Sequence, residues 1–405
     1  MKILFLHALA DPSRGGGAEV IVWSMIRALR NAGHNCVLLA TSNQPGLQRI
    51  EHEGITIWLA GIRNLYWPYH KTHPPIPQRM CWHVIDSYNP FMQGYLKQVI
   101  LTEEPDVISA HNLPGWSALS WRTLSKMRIP TVQVLHDYYA FCIKTSAFRS
   151  GHNCKKQCLD CRALRLPHRK LSNNVQAVVG VSNYIIERHE ELGYFSKVPM
   201  KMVIYNARSK SDLNVDSHAS DYTHKNLRFG YIGRLDPSKG IEVLVRSFMD
   251  AGLPETELWI AGDGKKSYEM HLHNAFKSTS IHFMGRTLPK DFFSQIDVVV
   301  VPSLWHDNLP SVVFEAFAFG KPVIGSRRGG IPEMIRDGNN GLLFEPNNEG
   351  ELIKAMQKLL DDPSLRKQMG LAAKESAKPF LDVDAWTKRY IELYGDVIRM
   401  CKTGG

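Results

Sequence analysis

The sequence predicts an α/β protein of two domains, and three observations carry that prediction. Short apolar runs of strand length recur along the chain, each ending in glycine or polar residues and followed by apolar positions at helical spacing. The series occurs twice, and the polar, Ser/Asp/His-rich stretch Arg208 to Lys225 separates the two occurrences. The length, 405 residues, exceeds what one ordinary core serves. We therefore expect domains at 1–207 and 226–380, a linker at 208–225 and a terminal helical segment at 381–405.

Composition narrows the class. A hydrophobic content of 44% and a charged content of 22% are those of a globular protein. No apolar run reaches the length of a membrane span. The start of the chain reads as a short strand entering a glycine loop and lacks the longer apolar core of a signal peptide, so a cytoplasmic protein is expected. The net charge of +10 fits nucleic acid, anionic substrates or membrane headgroups.

Lys2 to His7 reads as a buried parallel strand. Gly15, Gly16 and Gly17 follow, then a helix from Ala18 to Ala32 stopped by Gly33, then a strand from Cys36 to Thr41. A dinucleotide redox site would want GxGxxG and an acid at the end of the second strand; here stand GGG and Thr41-Ser42, which disfavours it. Three successive glycines suggest that something anionic or bulky approaches the backbone. Ile55 to Leu59 is another strand. Asn64 to Pro90 is rich in aromatics, His and Pro without a period, and reads as a loop that either contacts an acceptor or merely covers the domain. Strands are expected again at Asp106–Ala110, Thr131–Leu135, Ala177–Val181 and Met202–Tyr205. His136 and Asp137 fall at a strand's C-terminal end, where such sheets place their chemistry.

Seven cysteines are too few for a disulfide framework, but four of them, Cys142, Cys154, Cys158 and Cys161, form the cluster Cx11Cx3Cx2C. Their spacing suits a structural zinc knuckle inserted at about 142–170; the bland alternative is a set of thiols pinning a loop. The basic residues Lys155, Lys156, Arg162, Arg165, Arg169 and Lys170 around it keep both nucleic acid and an anionic membrane surface open.

In the second half, strands at Arg228–Ile232, Leu258–Ala261, Ile281–Met284, Val298–Val301 and Pro322–Ser326 each end in a glycine or polar turn, and a helix covers Ile241–Met249. Arg234 and Lys239 bracket one strand-to-helix turn, where two fixed cations can straddle a diphosphate. Asp307 and Glu315 stand eight residues apart, one in a loop and one on the helix that follows. Asp384 to Cys401 is an amphipathic helix, and the string Asp382-Val383-Asp384 before it suits capping better than metal binding.

These residues carry a resemblance. GRLDPSKGIEVLVRSF, IAGDG, HFMGR and PSLWHDNLPSVVFEAFAFGKPVIGSRRGGIPEMIRDGNNGLLFEP resemble the second domain of family 4 glycosyltransferases. GGGAEVIVWSMIRALRNAGHNCVLLAT resembles their first βαβ unit, and VLHDYYAFC, VVGVSNYI and VIYNAR resemble later strands of that domain. The resemblance implies the GT-B fold: two Rossmann-like domains facing a central cleft, with the last helix crossing back to the first. It implies retaining transfer of a sugar from a UDP- or GDP-linked donor to a glycan or lipid-linked acceptor, as in polysaccharide assembly, with no cofactor required for catalysis. Contact with an anionic membrane surface is expected and nucleic acid is not.

Residue by residue, Arg234 and Lys239 match the pair that holds the diphosphate, and Glu315 matches the second Glu of the family's E-x7-E motif, which holds the ribose. Asp307 falls on the first Glu, near the transferred sugar, with a side chain one methylene shorter. Asn308, Leu309, Pro310 and Ser311 match the loop whose amides face the donor. Gly262 and Gly285 match turns near the nucleotide, Gly16 and Gly17 a loop that meets phosphate or acceptor, and His136 a histidine near the sugar. Front-face transfer and double displacement through Asp307 both remain open. A nucleotide-sugar epimerase of the same fold is the alternative. A zinc-knuckle nucleic-acid-binding protein is the other, although it leaves the second-half pattern without a purpose.

Overall fold

The computed structural model describes residues 1–11, 16–70, 74–215 and 225–403. Gly15 and the linker residues 216–224 lie outside them. In chain order the first half runs β1 (Lys2–Leu6), α1 (Gly17–Asn31), β2 (Asn35–Ser42), β3 (Leu47–His52), β4 (Ile55–Gly61), α2 (Ile76–Ser87), α3 (Gln93–Glu103), β5 (Val107–Ala110), α4 (Leu119–Lys126), β6 (Thr131–Leu135), the small hairpin β7 (Phe148–Arg149) and β8 (His152–Asn153), α5 (Leu159–Leu164), α6 (Leu166–Leu171), β9 (Ala177–Gly180), α7 (Asn183–Glu191) and β10 (Met200–Val203). The second runs α8 (Lys210–Leu213), β11 (Leu227–Ile232), α9 (Ile241–Ala251), β12 (Thr256–Ala261), α10 (Lys266–Ala275), β13 (Ile281–Gly285), α11 (Pro289–Phe293), β14 (Val298–Val301), α12 (Ser311–Ala318), β15 (Val323–Ser326), α13 (Ile331–Met334), β16 (Gly341–Phe344), α14 (Glu349–Asp361), α15 (Pro363–Leu381) and α16 (Val383–Thr403).

The chain divides into two compact units. One holds Met1–Ala147, Cys154–Tyr205 and Asp384–Gly405; the other holds Phe148–Asn153 and Asn206–Val383. The sheet of the first unit has the order β10-β9-β6-β5-β1-β2-β4-β3. Every neighbour pair in it is parallel except β3 with β4. Its strand order reverses about β1, with Ile3 opposite Cys36 on one side and Val107 on the other. The antiparallel edge strand β3 has no counterpart in the sequence reading. All but one of its side chains are exposed, so it carries no apolar run to announce it. The sheet of the second unit, β13-β12-β11-β14-β15-β16, is wholly parallel and reverses between β11 and β14, where Phe229 faces Val298. Such reversal points open a crevice beyond the strand ends, the usual seat of ligands in α/β sheets.

Two expectations need correction. The segment 64–90 is not all loop: residues 76–87 form α2. Pro75 precedes it and Pro77 sits in its first turn, where a missing amide costs nothing. Trp82 and Asp86, four apart, point inward from one face. The linker is not featureless either, since Ser209 caps the short α8 by accepting from the Asp212 amide at 3.0 Å.

The apolar helix α12 owes its composition to burial on both sides. Val313, Phe314, Ala316 and Phe317 are wholly buried, and the Phe314 ring stacks on Phe380 of α15 with centroids 5.2 Å apart. Burying each phenylalanine stabilises the unit by about 2–3 kcal/mol. This packing fixes the helix whose N-terminus opens the site described next.

Candidate functional site

In the second unit the predicted residues collect beyond the C-terminal ends of β11 and β14. The turn after β11 is held by Asp236, whose Oδ1 accepts from the Ser238 amide at 2.9 Å. The Ser238 carbonyl then takes the amides of Leu304 at 2.9 Å and Trp305 at 3.2 Å, zipping this turn to the loop after β14. Across that seam Lys239 Nζ meets Asp307 Oδ2 at 2.5 Å. The same ammonium lies 5.0 Å from the centre of the Trp305 ring, a cation–π contact. Arg234 is exposed on the other side of the turn, its carbonyl accepting from the Tyr231 hydroxyl at 2.8 Å.

Asp307 is only 7% exposed and Asn308 4%, so this acid is a buried charge whose cost is met by the lysine. Its backbone is as constrained as its side chain. The Asp307 carbonyl accepts from the Gly330 amide at 2.7 Å. A side chain on Gly329, whose φ is +56°, would meet that same carbonyl at 2.0 Å. The glycine loop after β15 thus closes against the loop after β14. Asn308, Leu309 and Pro310 lead into α12, where Ser311 is the first helical residue and Pro310 caps without a side-chain bond. The first-turn amides therefore carry the positive end of the helix dipole.

Glu315, one turn further along α12 and also buried, is paired with Arg208: Arg208 Nη1 lies 2.7 Å from its Oε1. Arg208 stands in the stretch read as linker. Gly262 sits where the chain leaves β12. Its φ is +130° and a Cβ there would come within 1.8 Å of the Gly233 carbonyl, so its glycine serves the approach of the Arg234 turn. Its amide donates to the carbonyl of Gly285 at 2.7 Å, which joins the two predicted turn glycines directly.

Sequence reasoning missed Asn153. The hairpin β7–β8 belongs to this unit, and the Asn153 side chain donates to the Leu304 carbonyl at 2.7 Å and accepts from the His306 amide at 2.9 Å. It brackets the loop just before Asp307. A contact spanning about 150 positions has no local signature in the chain.

In the first unit, His136 follows β6 and belongs to a chain of groups. Its Nε2 is 2.9 Å from His111 Nδ1; His111 Nε2 is 3.0 Å from Ser109 Oγ; and the Tyr394 hydroxyl of α16 donates to that Oγ at 2.8 Å. His7, just past β1, lies with its ring centre 6.2 Å from that of His111. Burial lowers the pKa of all three imidazoles, that of His136 to about 3, so they are neutral near pH 7. Burial raises the neighbouring Asp137 to about 7. The Gly16 amide donates to Glu19 Oε2 at 2.6 Å, and Glu19 Oε1 is 3.9 Å from His7 Nε2. A Cβ on Gly16 or Gly17 would meet nothing closer than 3.8 Å, so packing within the chain does not require glycine at either position. His7, His111, Glu19 and Tyr394 were not singled out in the sequence. The two histidines carried the same signal as His136, a position just past a strand end.

The four clustered cysteines also lie in this unit and share one small cavity. Among the described residues the cysteines form no disulfide. Arg165, counted above with the basic surface residues, is instead wholly buried. It pairs with Asp86 at 3.4 Å and stacks over Tyr139 at 4.4 Å, which compensates a charge that could not otherwise leave water. Among the described residues no helix is long and apolar enough to cross a membrane.

Comparison with known proteins gives this geometry a family. Residues 15–207 match the model of Glycosyltransferase Family 4, and residues 216–376 match that of Glycosyl transferases group 1. An uncharacterized 42.6 kDa protein in the cps region of Klebsiella pneumoniae is 28% identical over 394 residues, covering 97% of this chain and all of that one. Among solved structures, sucrose-phosphate synthase from Thermosynechococcus elongatus superposes with a TM-score of 0.74 at 19% identity, covering 98% of this chain and 99% of its own. Anabaena Alr3699/HepE in complex with UDP-glucose superposes with a TM-score of 0.69 at 20% identity, covering 98% and 100%. With a matching model on each half and two Rossmann-like sheets of GT-B type, the chain belongs to the family 4 glycosyltransferases.

Proposed function

We propose that the protein is a retaining glycosyltransferase that moves a sugar from a UDP- or GDP-linked donor onto a glycan or lipid-linked saccharide in the building of a cell-surface polysaccharide. The observation that carries this reading is the convergence of Arg234, Lys239, Asp307 and the open N-terminus of α12 at the strand-order reversal of one sheet. As a nucleoside diphosphate leaves, negative charge grows on its β-phosphate. Arg234, Lys239 and the amides from Ser311 onward answer that charge, and being preorganised they cost little reorganisation at the moment of transfer. Glu315 takes the ribose hydroxyls and Arg208 holds its carboxylate in place. Asp307 stands by the transferred sugar and, on donor arrival, hands Lys239 to the phosphate. Gly262 and Gly285 shape the nucleotide side of the site. In the first unit, the acceptor side, His136 meets the sugar, and Gly16 and Gly17 leave the backbone bare for an acceptor or phosphate group.

Two comparisons support donor and pathway. A similar structure is described in complex with UDP-glucose, and a similar protein is encoded in a cps region. The net charge of +10, with exposed Leu159 and Leu166 beside exposed Lys155, Lys156, Arg162, Arg169 and Lys170, supports a peripheral position on the anionic cytoplasmic face of a membrane. A thermal-shift and donor-hydrolysis screen over UDP- and GDP-sugars tests the reading. One donor class should raise the melting temperature by several degrees at saturating concentration. Neither stabilisation nor hydrolysis with any of them would overturn it.

A further inference from the structure

We propose that Cys142, Cys154, Cys158 and Cys161 hold one structural zinc ion as a tetrathiolate. The fold brings them together from three places: the turn after β6, the end of the β7–β8 hairpin, and the entry to α5 with its third residue. The Sγ atoms of Cys154 and Cys158 are 3.7 Å apart. Four sulfurs at about 2.3 Å from a tetrahedral zinc stand about 3.8 Å from one another, so this pair already spans one edge of such a site. The sulfurs of Cys158 and Cys161 lie within 4.8 Å of each other.

The space among them points the same way. All four line one cavity of about 10 Å³, walled otherwise by Phe141, Ala147, Gln157, Leu192 and the side chains of Lys156 and Arg188. The pocket is partly open to solvent at Cys154 and Cys158 and has room for roughly one small occupant. A zinc tetrathiolate carries two negative charges, and Lys156 and Arg188 at the cavity wall offset them. Arg188 is anchored by donating to the carbonyls of Cys154 at 2.8 Å and Lys155 at 2.6 Å. Gln157 fixes the backbone between the ligands, its amide donating to the Phe141 carbonyl at 2.8 Å and the Tyr194 hydroxyl at 2.9 Å. Supporting bonds of this kind orient metal ligands. Asp160 accepts from the Cys161 amide at 2.9 Å and also offers a carboxylate oxygen within 4.8 Å of the Cys158 and Cys161 sulfurs, so Cys142 and Cys154 must close in on the ion to complete the four-sulfur set in place of that carboxylate. Cys142 and Cys154 then close the loop between them, removing conformational freedom from an otherwise irregular excursion.

The test is elemental analysis of the full-length protein purified without chelator under reducing conditions. About one zinc per chain is expected, released by a mercurial reagent as the four thiols titrate. Cobalt exchanged into the same protein should show thiolate-to-cobalt charge transfer and the intense visible bands of a tetrahedral site. Cys158→Ser should lose the metal while Cys81→Ser keeps it. If Cys158→Ser does not fold, the metal content and cobalt spectrum of the unaltered chain still decide. Substoichiometric zinc with four freely reactive thiols, disulfides among the four, or iron in place of zinc would each overturn the proposal.

Discussion

Lys239 and Asp307, 68 positions apart in the chain, form a part-buried ion pair of 2.5 Å at the mouth of α12. The pair stores the two groups in each other's keeping: the ammonium is already desolvated on one side by Trp305, and the carboxylate is nearly enclosed. Replacing Lys239 by Ala strands the acid at a cost of about 2 kcal/mol, which lowers the melting temperature without unfolding the unit. Transfer should fall by at least ~100-fold, because the growing phosphate charge loses a fixed cation. Steady-state kinetics alongside circular dichroism checks both parts, and full activity in a folded variant would sink the donor assignment.

Asp307→Glu lengthens the acid by one methylene toward the family's usual residue. The backbone at 307 is held by Gly330, so the extra length must project into the site and not be absorbed by the loop. We expect a changed ranking of donor sugars, read as kcat/KM across a nucleotide-sugar panel. An unchanged ranking with unchanged rates would remove Asp307 from sugar selection.

The pair Arg208–Glu315 is predicted to act as a unit. Glu315→Ala should weaken donor binding by about 100-fold, and Arg208→Ala by about tenfold through a misplaced carboxylate. In a double-mutant cycle the two should couple by about 1–3 kcal/mol. Additive losses would mean that Arg208 merely neighbours the site.

Asn153→Ala removes two bonds to the backbone of 304–306 and nothing from the reacting groups. It should raise the KM for donor several-fold with a smaller change in kcat, and speed amide exchange across 303–308. Unaltered exchange there would show that the bracket does not hold the loop.

How much of this was legible beforehand follows from the range of each interaction. Val298 to Val301, fully buried on both faces, announced a central strand by composition alone. The span from Arg234 to Lys239 is one turn, so its cationic pair was visible as a spacing. Arg208 was not, because its meaning comes from Glu315, which reaches it only once α12 has docked. The helix α2 was hidden by prolines that break most helices but open this one. Edge strand β3 was hidden by solvent on nearly all of its side chains.

Two buried neighbours in the first unit, His136 and Asp137, link its stability to pH in opposite senses. His136 is held down to about 3 by burial, against about 6.5 in the unfolded chain. Between those values the unfolded state binds the extra proton, so stability is complete above about pH 6.5 and falls as pH drops toward 3, by up to ~1.4 kcal/mol per pH unit for this group. His136→Gln should flatten that slope in urea titrations from pH 7 to 4. Asp137, raised to about 7, works in the opposite sense: its neutral form is favoured in the fold, so stability declines as pH rises from about 4 through 7.

The string of groups from α16 to His136 also has a polarity. When the Tyr394 hydroxyl gives its one hydrogen to Ser109 at 2.8 Å and not to Met25 Sδ at 3.8 Å, the serine's own hydrogen goes to His111 Nε2. A neutral His111 then carries its hydrogen on Nδ1 and gives it to His136 Nε2, which leaves His136 protonated at Nδ1 alone. Nitrogen-15 shifts of the two rings report that order directly, and Tyr394→Phe should scramble it. A phenol near the end of the chain thus selects the tautomer of a residue in its first half, making His136 a source of an N–H rather than a sink for a proton.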